Sequence, residues 1–234
     1  MVKRWIEKCY VGLVFFLLYA PIAIVVVCSF NASKSRRVWG GFTLQWYAEL
    51  FQDEAVIEAV RTSLMLTTMA AVIAAVLGTL ASIGLTVMGQ KKQQAIMTVT
   101  NIPMLNADVV TGIAIMLLFG RFWNLGYFSM LAAHITLGVP YVILNVMPKL
   151  QQTNLSTYEA ALDLGASPVY AFFKVVLPDI MPGIFSGFLL AFTISLDDFV
   201  ITYFTKGAGM NTISTMIYPQ VRRGIAPKMY AIST

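Results

Sequence analysis

Between Arg61 and Lys91 the chain carries no charged side chain, and between Arg121 and Lys149 only His134 interrupts an apolar run. Each stretch is longer than the roughly 20 residues that cross the hydrocarbon core of a bilayer. Backbone groups in lipid must be satisfied within the segment, and these runs lack the two-residue alternation of a membrane barrel, so they read as helices. Composition agrees: 58% of residues are hydrophobic and 12% charged, with a mean hydropathy of +0.75. A soluble domain would not tolerate that on its surface. The fold class expected is all-α, a polytopic membrane protein in one transmembrane domain over residues 1–234.

Five spans follow, over residues 9–30, 63–88, 95–120, 127–147 and 180–204. Pro21, Pro103 and Pro140 fall inside them and predict kinks. Ala70, Ala71, Ala74, Ala75, Gly78, Ala81 and Gly84 recur at spacings near four along the second span, which places it inside a bundle. The connection over 31–62 holds an amphipathic piece, Leu44 to Phe51, expected as a short helix at the interface with its aromatic residues, Trp46 included, at headgroup level. Pro227 suits the first residue of a further helix. The eight residues from there to Thr234 cannot cross a bilayer, so a sixth span is expected beyond them.

The net charge of +5 comes from Lys and Arg scattered among loops, a pattern that argues against nucleic acid as a partner. Cys9 and Cys28, if both lie on the first helix, are separated by about 28 Å of rise, too far for a disulfide. Lys3, Arg4 and Lys8 precede an apolar run longer than a signal-peptide core, which reads as an uncleaved first span. These residues, with Lys91 and Lys92, form the densest basic clusters near span ends and place the N-terminus in the cytoplasm. The connection over 148–179 is then cytoplasmic too.

That connection contains Glu159-Ala160-Ala161-Leu162-Asp163-Leu164-Gly165-Ala166-Ser167, a polar stretch between two long apolar spans. Glu159 and Asp163, four apart, share a helix face, while Ala160, Ala161 and Leu164 offer a small, close-packing surface. With Leu177-Pro178 and Pro182-Gly183, this stretch resembles the EAA loop of permease subunits of binding-protein-dependent (type I) ABC importers. The resemblance runs along nearly the whole chain. It is strongest to the spermidine/putrescine permeases of PotC type, through Tyr19-Ala20-Pro21, Ser29-Phe30-Asn31, Trp46-Tyr47, Ala107 to Val110, His134-Ile135-Thr136 and Ser195-Leu196-Asp197-Asp198.

The resemblance implies a MetI-like six-helix core and a set of partners: a second homologous permease, two cytoplasmic ABC ATPases, an extracytoplasmic solute-binding protein and a polyamine as cargo. It implies that Glu159, Ala160, Ala161, Asp163 and Gly165 couple the membrane helices to the ATPase, with a turn at Gly165 and a second helix through Tyr170 to Val176. The chain contains no G-x-x-x-x-G-K-[ST] loop to cradle phosphates, so ATP and magnesium belong to the partner ATPases and no cofactor is expected on this chain.

Asp108, Asp197 and Asp198 are the carboxylates that the spans place at membrane depth, where a charge costs roughly 2.5–3.5 kcal/mol unless it faces a cavity or a partner. A polyamine leaving water needs compensating acceptors, which makes these aspartates candidates for its route, with the aromatic ring of Tyr203 as a possible stacking surface. Each has a structural alternative: Asp108 capping a helix restarted after Pro103, Asp197 and Asp198 capping or snorkelling, Tyr203 anchoring at the interface. His134, the sole histidine, leaves no cluster for a metal or a catalytic triad and reads as a helix-to-helix hydrogen-bonding group. Other cargoes, among them iron, sulfate and thiamine, keep the same machine. A secondary cation transporter leaves the EAA stretch without a purpose, and an intramembrane aspartyl protease lacks its G-x-G-D context.

Overall fold

The computed structural model describes residues 2–33, 38–122, 124–223 and 227–234. Among them the helices are α1 (Val2–Ser29), α2 (Gln45–Gln52), α3 (Glu54–Thr86), α4 (Gln90–Leu105), α5 (Asp108–Phe122), α6 (Tyr127–Gln152), α7 (Leu155–Asp163) and α8 (Pro168–Ala171). A π-helical turn, Phe172–Val176, leads into α9 (Leu177–Asp197), followed by α10 (Val200–Thr205), α11 (Ile213–Arg223) and α12 (Pro227–Ile232). The fold is all-α, as the apolar runs require. Four helices are long and apolar enough to cross a membrane, and a bent pair makes a possible fifth.

The chain forms two compact units, Met1–Val60 with Met216–Thr234, and Arg61–Thr215. In the first, Asn31 organises the segment after α1. Its side-chain oxygen accepts from the backbone N–H of Ser33 and Gly40, its amide donates to Val38 O, and its own carbonyl accepts from Trp46 Nε1 at 2.8 Å. Phe30 stacks on Phe42 and Tyr47, and Ser29 Oγ meets Tyr47 OH at 2.8 Å. The short helix over 44–51 is present as α2, and Trp46 turns into this unit. It is only 6% exposed, because its indole N–H finds the Asn31 carbonyl inward rather than water outward. Lys228 of α12 pairs with Asp53, and this ammonium, opposed by some desolvation, holds the Asp53 carboxyl below its ordinary value, aided by the N–H groups of Val56 and Ala55.

The second unit is built on α6. Val142 of α6 is held between two glycines: a Cβ at Gly78 of α3 would lie 2.6 Å from the Val142 Cβ, and one at Gly187 of α9 would lie 2.9 Å from the Val142 Cα. Only a residue without a side chain permits that approach, which is how helices gain packing in lipid. Ala71, Ala74, Val142, Val146, Val176, Ile180 and Ala191 complete this core. The small residues of α3 therefore do face a bundle interior, as their spacing predicts.

Two expected spans are broken. The segment read as one kinked span over 95–120 is two helices, α4 and α5, meeting at 104°. Pro103 lies in the last turn of α4, Asn106 is extended (ψ 155°), and α5 restarts at Asp108, so the expected kink is a full break followed by the helix restart that was the alternative reading of Asp108. The segment read as 180–204 ends as a long helix at Asp197, and α10 restarts at Val200 after Asp198, itself extended (ψ 123°).

Candidate functional site

Two groups of residues carry chemistry, both in the unit spanning Arg61–Thr215. The first is the polar elbow after α6. Asn154 caps α7 by accepting from Ser156 N at 3.0 Å and Ser156 Oγ at 2.7 Å. At the other end Gly165 N donates to Leu162 O and Ala166 N to Ala161 O, with Gly165 at φ +90°. These two bonds closing on a left-handed residue form a Schellman motif, a stop that favours glycine because a Cβ is strained there. Ser167 then accepts from Tyr170 N, and Pro168 opens α8 at a position where its missing N–H is harmless.

The elbow is anchored from one side and bare on the other. Tyr158, Leu150, Phe172 and Leu177 pack against the core that holds Val146, Val176 and Ile180. Glu159, Ala160, Asp163 and Gly165 are exposed and Ala161 is half-buried. Leu164 (89% exposed), Val169, Tyr170 and Phe173 stand out in solvent around them. The sequence reading named Leu164 for this surface and missed the other three. Their signal was an apolar trio at the start of the second helix, Val169 just before Tyr170 and Phe173 within it, left exposed among the described residues. That helix is present, but its middle is π-helical: Leu177 N–H donates to Phe172 O, five residues back.

The second group lies at the break between α9 and α10. Asp198 Oδ2 accepts from Thr202 N at 2.8 Å and from Thr202 Oγ1 at 2.9 Å, and Oδ1 accepts from Ile201 N at 3.3 Å. Thr202 Oγ1 lies 2.9 Å from His134 Nε2, and Ser195 Oγ lies 2.8 Å from His134 Nδ1. The Thr202 hydroxyl donates to Asp198 Oδ2 and, with its one proton so engaged, takes its own hydrogen bond from His134 Nε2–H. Nδ1 is then the acceptor for Ser195 O–H. The chain of donors thus runs Ser195, His134, Thr202, Asp198, and it ties α6, α9 and α10 together across buried positions.

This arrangement gives His134 the helix-bridging duty expected of it and a serine and an aspartate as neighbours that the sequence did not reveal. The three do not form a hydrolytic triad: Ser195 is buried, and Thr202 stands between imidazole and carboxylate, which lie 3.9 Å apart. The Asp198 carboxylate accepts from the first turn of α10, whereas Asp197 is exposed. Asp108 is also exposed, in the first turn of α5, where a carboxylate complements the helix dipole. It stands outside the His134 network, although α5 packs on α10, with Gly112 against the ring of Phe204. Tyr203, 53% exposed, leans on Phe199 and Phe204 with ring centroids 5.5 and 5.7 Å away.

Comparison with known proteins places these features. Residues 72–223 match the model of the family described as binding-protein-dependent transport system inner membrane component. The chain is 40% identical over 228 residues to the putrescine transport system permease protein PotI of Escherichia coli (strain K12), covering 94% of this chain and 81% of that one. It is 34% identical over 235 residues to the spermidine/putrescine transport system permease protein PotC of Haemophilus influenzae, covering 100% of this chain and 91% of that one. Among solved structures, a bacterial ABC transporter involved in the import of the polysaccharide alginate has a chain that superposes with a TM-score of 0.73 over 99% of this chain and 90% of its own, at 17% identity. That likeness speaks for the fold alone.

Proposed function

Because the chain belongs to the family of binding-protein-dependent transport system inner membrane components, we propose that it is the membrane-spanning permease subunit of an ATP-driven importer of polyamines. The observation that carries this reading is the near full-length likeness to putrescine and spermidine/putrescine permeases. It is a multi-pass inner-membrane transport subunit; its N-terminus lies in the cytoplasm. Its partners are a second permease of the same family, two cytoplasmic ABC ATPases that use ATP and magnesium, and an extracytoplasmic binding protein that delivers the cargo.

The elbow is the coupling device. A helix stopped by a Schellman motif and anchored through Tyr158 moves with α6 and α9 as one body, so a push on Glu159, Asp163 or Leu164 is transmitted rather than absorbed. The exposed apolar residues around Gly165 suit a cleft on the ATPase. On the route of the cargo, Asp108, Asp197 and Tyr203 offer exposed carboxylates and a ring face to an ammonium group. Asp198 serves the same route indirectly by fixing the break after α9.

The test is ATPase activity of the reconstituted complex. Stimulation by binding protein loaded with putrescine or spermidine is the expected result. Stimulation only by a binding protein carrying another solute rejects the polyamine cargo, and no stimulation by any binding protein rejects the importer.

A further inference from the structure

Lys206 follows the last residue of α10 and folds back on it. Its Nζ lies 5.9 Å from the centroid of the Tyr203 ring and donates to Asn211 Oδ1 at 2.8 Å. Among the described residues no carboxylate pairs with it. The ring it approaches also touches Phe199 and Phe204 yet is 53% exposed. The contact is therefore between a lysine and an accessible aromatic face, with a neutral amide oxygen as the only hydrogen-bond acceptor.

The chemistry of the occupant is informative. A lysine side chain is four methylene carbons ending in a primary ammonium, which is the same unit as one end of putrescine with its full carbon chain. Whatever accepts Lys206 accepts that group. We propose that the Tyr203 ring and the Asn211 amide oxygen form a subsite for a primary alkylammonium, which Lys206 fills when no cargo is present and vacates when the ammonium of a polyamine arrives. This rests on the polyamine-import reading above and adds to it the subsite and its resident competitor.

The composition of the subsite fits a station on a route. A carboxylate would hold the cation firmly, whereas a ring face and a neutral oxygen attract it weakly, and transfer requires sites that release as readily as they bind. Lysine has the flexible stem and compact charge needed to leave and return.

Equilibrium dialysis of radiolabelled putrescine against the purified complex of both permeases and the ATPases, without binding protein, tests this directly. Lys206→Met should tighten binding about two- to fivefold, the scale of one exposed cation–π contact. Lys206→Arg, which keeps a cation on the ring, should bind as wild type. Tyr203→Leu should weaken binding and cancel the gain when combined with Lys206→Met, while Tyr203→Phe should keep it. Unchanged binding in Lys206→Met, or the same gain in the double variant with Tyr203→Leu, overturns the subsite. Wild-type complex that binds no putrescine yet imports it with binding protein overturns the subsite and leaves the importer standing. Complex that neither binds nor imports polyamines overturns both.

Discussion

Ser195 Oγ and His134 Nδ1 lie 2.8 Å apart, and this contact takes its direction from the far end of the network, where the Thr202 hydroxyl donates to Asp198. With Nδ1 accepting, Nε2 carries the hydrogen and donates to Thr202, whose hydroxyl completes the cap on α10 through Asp198. The break after α9 is thus held by side chains, where a continuous helix would have used its backbone.

Thr202→Val should test this hold. It removes a cap donor and leaves His134 Nε2–H buried without an acceptor, at a cost of about 1–3 kcal/mol. Thermal unfolding of the detergent-solubilised chain should fall accordingly, and Thr202→Ser should restore most of it. An unchanged melting temperature in the valine variant would mean that the network contributes nothing to the fold.

The neighbouring aspartates should separate by readout. Asp198→Asn weakens a carboxylate that accepts three hydrogen bonds and should lower thermal stability, whereas Asp197→Asn, at an exposed position, should leave stability unchanged and reduce putrescine uptake. Normal uptake by Asp197→Asn would remove that residue from the cargo route.

At Gly165 the positive φ makes any side chain costly, by about 1–2 kcal/mol for alanine. Gly165→Ala should reach the membrane in normal amount but lose ATPase stimulation, because the exit from α7 changes direction. Gly165→Asn, which tolerates the left-handed region, should keep part of the activity. Glu159→Lys should uncouple without touching stability, measured as uptake lost with an unchanged melting curve.

The clasp on Val142 predicts a rescue. Gly78→Ala drives a Cβ to 2.6 Å from that of Val142 and should destabilise by about 1–3 kcal/mol. Adding Val142→Gly removes both the Cβ and the Cγ1 that the new methyl meets, so the double variant should be more stable than the sum of its parts by denaturation. Strict additivity would show that the helices simply move apart.

The Asp53–Lys228 pair sets a pH dependence. A carboxyl held below its ordinary 3.8 stabilises the folded form fully above that value and loses its contribution as pH falls through its folded pKa. Stability of the wild type should therefore decline more steeply below about pH 4 than that of Asp53→Asn, with little difference between their slopes near neutrality. The side chains are partly exposed, so added salt should shrink the effect.

Much of this was legible before any coordinates. Apolar length located the helices, the small-residue spacing of α3 anticipated its burial, and the polar elbow with Gly165 at its turn emerged from sequence alone. What escaped the sequence shares one cause. The inward turn of Trp46 and the meeting of Ser195 with His134 both depend on a partner far along the chain, 15 and 61 residues away, offering a hydrogen bond. A periodicity that counts residues along one helix has no access to such partners. The exposed Val169, Tyr170 and Phe173 were missed for the opposite reason, since nothing within the chain marks an apolar residue as destined for another molecule.

The π-helical turn at Phe172–Val176 has a geometric corollary. It spends one residue more per turn than its flanks, so the elbow upstream is dialled relative to α9 by about 100°, the angle one α-helical residue subtends. Tightening those five residues to ordinary pitch, with none removed, would swivel α8 about the axis of α9 by that angle and re-aim Gly165 without unfolding either helix. The one extra residue in that turn thus sets the direction in which the chain presents its elbow.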